Sequence, residues 1–368
     1  MKEKTRVIVL FGGQSSEHEV SRTSAQSVLE NLDTEKYDIL PVGITKKGEW
    51  LPYRGEYKYI AGGEWENIAR LDFQQHREYN ANTFPGIKDF LIEICGEPID
   101  IVFPVLHGAN GEDGSIQGLL ELAGIPYVGC NILSSAVGMD KAVSKILFEH
   151  AGLNQAKYIV VNRSDIYNNI SGIQQTVESN IGYPCFVKPA NSGSSVGITK
   201  VKEPDDLLKA LEVAANYDRK ILVEEFIDGR EVECAVLGFD SPIASTVGEI
   251  IPCNEFYDYE AKYINPDSKI CIPADLDEDI MENIRADAIT AFKALDCAIL
   301  ARVDFFVEKG TNKVFINEIN TMPGFTSISM YPKLWDASGI SYKELLGKII
   351  ELSFIRYREN RRSFERGL

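Results

Sequence analysis

Residues 6–13 read Arg-Val-Ile-Val-Leu-Phe-Gly-Gly. After Arg6 the run is apolar without alternation, which marks a strand covered on both faces, as a parallel strand between helix layers is. Gly12-Gly13 end it. Working outward, a polar turn leads to a helical stretch over 20–32, then strands over 37–44 and 99–106. Residues 115–123 form a helix that Gly124 stops, and 125–128 a short strand. This βαβ rhythm predicts an α/β unit, a parallel sheet with helices on its faces. Residues 53–85 are polar and aromatic, contain Gly62-Gly63 and break the rhythm. They read as an insertion with no chemistry attached.

The rest of the chain changes character. Asp140 can cap a helix running to His150 before Gly152. Strands over 184–189 and 196–201 flank a glycine-serine turn, Pro204 opens a helix, and 220–227 is a strand. Further strands follow over 231–239, 246–251 and 269–272. A helix over 277–295 carries Ile280, Ile284, Ala288, Ala291, Phe292 and Leu295 on one stripe. A last hairpin, 298–307 and 313–320, turns at Gly310. The prediction is an N-terminal parallel-sheet domain over 1–139, then two α+β units over 140–227 and 228–368. Residues 356–368, rich in arginine with interspersed glutamates, read as a solvated helix end or tail.

Charge and composition exclude whole classes. Across 368 residues, 38 Lys and Arg face 55 Asp and Glu, a net charge of −17 at pH 7. Such a surface repels nucleic-acid phosphates and anionic lipid. No apolar run reaches the roughly 18–20 residues a spanning helix needs, and the apolar stretch near the N-terminus is too short for a signal peptide. The seven cysteines are odd in number and scattered, without a CxxC pair. Reduced thiols in the cytoplasm are therefore expected rather than a disulfide or zinc framework.

Four constellations could carry chemistry. Side chains alternate along a strand, so Arg302 and Asp304 share a face, as do Glu318 and Asn320 on the partner strand. Opposed, they gather three hard oxygen donors and one cation, a set suited to magnesium completed by phosphate and water; ordinary charge pairs on a solvated face are the competing reading. Lys188 at a strand end precedes a small donor-rich loop, Gly193 to Gly197, which could wrap phosphate or be a plain hairpin turn. Glu17 follows the glycine turn of the first strand, where open α/β sheets bind ligands. It could hold an ammonium group or cap a helix with Ser15 or Ser16. His107 lies in a glycine-rich loop with Glu112, and serves a site or only the structure.

Seven motifs in order resemble the D-alanine-D-alanine ligase family of the ATP-grasp superfamily. They are FGGQSSEHEVS (11–21), FPVLHGANGEDGSIQG (103–118), MDK (139–141), FVKPANSGSSVG (186–197), YDYEAKY (257–263), ARVDFF (301–306) and NEINTMPGFTSIS (317–329). The resemblance implies ATP held between the sheets of the two α+β domains, and a cytoplasmic, homodimeric enzyme making a peptidoglycan precursor dipeptide. It implies two magnesium ions, or manganese in their place, on Asp304, Glu318 and Asn320. Lys141, Lys188, Ser194 and Ser195 would hold phosphates. Glu224, Glu225, Ile227 and Glu231 would lie along adenine and ribose, and Lys262 on a mobile loop over the site. Arg302 would steady the transferring phosphoryl group. Glu17, with Ser194 and Tyr263, would hold the first D-alanine; Ser329, Met330, His107 and Glu112 would line the pocket of the second. Tyr263 and the apolar Met330 resemble dipeptide-forming members rather than the D-serine or D-lactate ligases of vancomycin resistance, the runners-up. Ile328 stands where several members have histidine.

Overall fold

The computed structural model describes residues 4–76, 91, 92, 96, 98–251 and 269–360. The first sheet follows the opening run: β1 (Thr5–Gly12), α1 (His18–Asn31), β2 (Tyr37–Ile44), β3 (Trp50–Pro52), α2 (Lys58–Gly62), α3 (Trp65–His76) and β4 (Ile101–Pro104). Its order is β3-β2-β1-β4, with β2 and β4 parallel to β1 and β3 antiparallel at the edge. Residues 125–128 form only a bridge, Tyr127 to Val102, rather than a strand. Helices α4 (Ser115–Ala123), α5 (Ile132–Met139) and α6 (Lys141–His150) lead onward.

A second sheet, antiparallel in order β5-β8-β6-β7, is built from β5 (Tyr158–Asn162), β6 (Cys185–Pro189), β7 (Thr199–Val201) and β8 (Lys220–Glu225). Helices α7 (Arg163–Asn168), α8 (Ile170–Asn180) and α9 (Leu207–Ala215) accompany it. The third sheet comprises β9 (Gly229–Gly238), β10 (Ile243–Ile251), β11 (Lys269–Cys271), β12 (Ile299–Glu308) and β13 (Val314–Asn320), in order β11-β10-β9-β12-β13. Helix α10 (Glu278–Ala294) interrupts it, and α11 (Met330–Ala337) and α12 (Tyr342–Glu359) follow.

Packing divides the interior unevenly. Val7, Phe11 and Phe103 of the first sheet share one core with Phe325, Trp335 and Leu345 near the chain's end. Behind the third sheet, Val303, Phe305 and Ile316 pack with Phe292 of α10 and Phe148 of α6. The second sheet has a core of its own, made of Val187, Val223, Leu211 and Val177 among others. The five cysteines among the described residues are free.

Two expectations need correction. The insertion read over 53–85, whose residues 77–85 lie outside the described ones, is part of the domain core rather than a polar addition to it, because Tyr53, Ile60 and Trp65 are fully buried against the first sheet. A Cβ at Gly43 of β2 would stand 2.1 Å from the Trp65 ring, so a glycine is required where α3 presses on the strand. In the solvated helix end expected over 356–368, Arg358, Glu359 and Asn360 are exposed and 361–368 lie outside the described residues, but Arg356 departs from it. It is 2% exposed, donates to the carbonyls of Tyr127 (2.8 Å) and Gly129, and covers the Tyr127 ring. Two backbone acceptors and an aromatic face outweigh the preference of a guanidinium for water.

Candidate active site

The hairpin β12–β13 places its polar residues as alternation predicts, with one departure. Arg302 pairs with Asn320 and Asp304 with Glu318, but Phe305 then pairs with Ile316. Asn317 is thus the extra residue of a β-bulge. The bulge lets Ile316 join the core while Glu318 and Asn320 stay on the face of Arg302 and Asp304.

On that face Asp304, nearly fully buried, takes two hydrogen bonds from Arg302 at 2.7 Å and one from Asn320 Nδ2 at 3.0 Å. Arg302 also meets Glu233 of the neighbouring strand β9 at 2.9 Å. Burial works against the guanidinium charge, but the Asp304 and Glu233 carboxylates hold Arg302 protonated far beyond its ordinary range. Glu318 receives Lys141 Nζ at 3.3 Å, and Lys141 also donates to the Ser192 carbonyl at 2.8 Å. Among the described residues no three His, Cys, Asp or Glu side chains form a metal cluster. The set of Asp304, Glu318 and Asn320 offers two carboxylates and an amide oxygen, which fits a hard cation that takes its other ligands from phosphate and water.

Lys188 lies near the end of β6, where Glu224 of β8 accepts from its ammonium group, and Asn317 Oδ1 lies 3.4 Å away. The second Glu224 oxygen meets Lys145 of α6. Burial pushes the Glu224 carboxyl up, yet the two ammonium groups outweigh it and bring it down to about 2. After Lys188, Ser194 and Ser195 both adopt left-handed backbone, φ 50° and 59°. Non-glycine residues there carry backbone strain of the kind that functional loops tolerate.

Glu17 is buried at the start of α1 but does not cap it; its carboxylate instead accepts from the Ser194 hydroxyl. Gly108 and Gly193 wall this carboxylate, and a Cβ at either would come within 2.4 and 2.7 Å of Glu17 Oε2. His107 is buried, with Nε2 2.9 Å from Ser24 Oγ and Nδ1 3.3 Å from Glu112. Burial disfavours its charge, but Glu112 and Glu17 raise its pKa. Burial and the nearby Glu17 raise that of Glu112. Ser329 precedes α11, its Oγ accepting the Thr326 N–H at 3.0 Å, and with Met330 of the first helical turn it borders the same space.

These residues line two adjoining cavities. The smaller, about 110 Å³, is bounded by Glu17, His107, Glu112, Arg302, Asn320, Ser329 and Met330. The larger, about 400 Å³, is bounded by Lys141, Lys188, Ser195, Glu224, Glu225, Ile227 and Glu231. Ser194 and Glu318 line both. Asp304 sits just behind Arg302, while Lys262 and Tyr263 fall outside the described residues. Sequence reasoning missed Lys145, Glu233 and Asn317. Lys145 lies one helical turn from Lys141 and Glu233 two strand positions from Glu231, spacings that put each on the face of a predicted residue. No sequence signal marks the bulge.

Family models described as "D-ala D-ala ligase N-terminus" and "D-ala D-ala ligase C-terminus" match residues 6–130 and 147–351. A protein of Ruminiclostridium cellulolyticum named D-alanine–D-alanine ligase is 58% identical, covering 98% of each chain. The protein of that name in Acetivibrio thermocellus is also 58% identical, covering 99% of this chain and all of its own. The crystal structure of VanG D-Ala:D-Ser ligase from Enterococcus faecalis superposes with a TM-score of 0.81 at 41% identity, covering 95% of this chain and 100% of that one. The D-alanine-D-alanine ligase structure from Coxiella burnetii gives 0.82 at 37% identity, covering 97% and 96%. Matched along nearly its whole length, the chain belongs to the D-alanine–D-alanine ligase family.

Proposed function

We propose that the chain joins two D-alanine molecules into D-alanyl-D-alanine, using ATP, for peptidoglycan precursor synthesis. One observation carries the reading: an acid-and-base-lined cavity opens onto a lysine-lined one across Ser194 and Glu318. In that arrangement the first D-alanine's carboxylate can meet the γ-phosphoryl group of ATP, giving an acyl phosphate and ADP. The amine of the second D-alanine then attacks the acyl carbon, loses its proton, and phosphate leaves. Negative charge develops in both steps, and Arg302, held cationic by its carboxylate neighbours, is placed to stabilise it. Glu17 would take the first ammonium group, and Ser329 with the α11 N-terminus the second carboxylate. Lys141, Lys188, Ser194 and Ser195 would hold the phosphates, and Glu224, Glu225, Ile227 and Glu231 the nucleoside end. His107 and Glu112 would complete the acceptor pocket. Two magnesium ions on Asp304, Glu318 and Asn320 would supply charge neutralisation along the phosphates. Lys262 would cover the site from its loop.

In this reading residues 1–139, 140–227 and 228–368 act as substrate, central and metal-bearing units, each holding one of the three sheets. No helix among the described residues is long and apolar enough to cross a membrane, which suits work in the cytoplasm. Exposed Leu122, Ile132 and Leu133, on the touching helices α4 and α5, offer an apolar face for a homodimer. Phosphate release from ATP with D-alanine, D-serine or D-lactate as acceptor tests the reaction, and its absence with D-alanine and magnesium overturns it. Release that prefers D-serine would favour the vancomycin-resistance type; the buried apolar Met330 supports D-alanine. Tyr263→Phe is expected to move acceptor use toward D-lactate, and an unchanged acceptor profile would refute that role.

A further inference from the structure

Behind the wall of the larger cavity lies a cation that the proposed reaction does not use. Lys145 follows Lys141 by one turn of α6, so both point from the same face. Lys141 reaches Glu318 and the Ser192 carbonyl, whereas Lys145 is 3% exposed at its side chain and lines neither cavity. Its ammonium group meets one oxygen of Glu224 and lies 5.3 Å from the centroid of the Tyr158 ring. The other Glu224 oxygen takes Lys188, which does line the cavity. A buried ammonium is costly to keep, and pairing it with a carboxylate is seldom better than apolar packing. Stability alone is therefore a weak reason for it.

Charge balance gives a stronger reason. Lys188 and Glu224 alone sum to zero, so a polyanion in the cavity would meet a lysine already cancelled by its own counter-ion. Adding Lys145 leaves the trio at +1, with Lys188 as its only member cation at the cavity wall. We propose, on the basis of the nucleotide-binding reading above, that Lys145 is a positioning residue that neutralises Glu224 from behind. Lys188 thereby keeps its full attraction for the ligand's phosphates.

Binding of ATP, ADP and adenosine to the full chain tests this, with Lys145→Gln retaining a donor for Glu224 without the charge and Lys145→Arg retaining the charge. Lys145→Gln is expected to weaken ATP and ADP about tenfold, the order of one unit charge about ten ångströms away in partly screened surroundings. Adenosine, which lacks phosphate, should change less than about twofold, and Lys145→Arg should hold ATP far better than Lys145→Gln. Equal weakening of ATP and adenosine, no weakening at all, or identical Gln and Arg variants would overturn the proposal. A wild-type chain that binds no ATP overturns it together with the nucleotide reading. ATP binding without D-alanine-dependent phosphate release overturns the ligase reaction alone.

Discussion

Asp304 and Glu318 face each other across the hairpin but differ in surroundings. Asp304 is almost fully buried in the grip of Arg302 and Asn320, while Glu318 is about a quarter exposed beside both cavities. Removing Asp304 leaves Arg302 with Glu233 as its carboxylate partner, so Asp304→Ala is expected to cost about 1.5–3 kcal/mol of stability as well as activity. Glu318→Gln should leave thermal unfolding nearly unchanged and lower turnover by at least about 100-fold. Wild-type turnover in Glu318→Gln would overturn its proposed role as a metal ligand. Glu224 gives a pH signature. Its carboxyl is held near 2 against an ordinary 4.5, so its stabilisation is complete above about pH 4.5 and disappears as pH falls toward 2. The shift corresponds to about 3 kcal/mol. Unfolding followed from pH 5 to 2.5 should show Glu224→Gln losing less stability than wild type, and parallel losses would contradict the ion-pair account. Arg302, Asp304, Glu318 and Asn320 were legible in the sequence because strand alternation puts them on shared faces. Lys145 and Glu233 were not, because each is a buried charge whose partner lies in a different element.

At the scale of elements, β13 shows where periodic reading stops. Strict alternation would place Ile316 on one face with Glu318 and Asn320, mixing core and site. The bulge at Asn317 resolves the conflict, and its position depends on pairing with β12 rather than on residues 314–320 themselves. Helices with clear caps or stripes were legible, including α4, stopped by Gly124, and α6, capped by Asp140. Helix α8 was not, since it contains Gly172 and buries only Ile173 and Val177. Asp140 accepts from the Ala142 and Val143 N–H groups and from Lys220 Nζ at 2.5 Å, tying the start of α6 to β8. Asp140→Ala should therefore cost about 1–2 kcal/mol and weaken ATP binding by displacing Lys141. Denaturant unfolding together with nucleotide titration checks both, and an unaltered ATP affinity would show that the cap does not position that lysine.

Across the whole molecule, a net charge of −17 surrounds a cleft carrying Lys141, Lys188 and Arg302. Total charge excluded anionic partners on a large scale without describing this interior. Arg356 joins distant parts of the chain, fixing the Tyr127 and Gly129 carbonyls from the last helix. Arg356→Met would leave those carbonyls without their donor. It should cost about 3 kcal/mol, read as a lower unfolding midpoint, and a midpoint equal to wild type would mean the tie is dispensable. The first and third sheets share a core, while the second keeps its own. Mechanically this makes a vise: one broad fixed jaw, formed by both ends of the chain, and one small jaw with an independent interior. Lys188 and Glu224 stand on the small jaw, and Phe306 and Glu318 on the fixed one, around a single cavity. A nucleotide gripped between them, as proposed, would fasten the small jaw to the broad one, so the small jaw's own interior would no longer alone set how readily it comes apart.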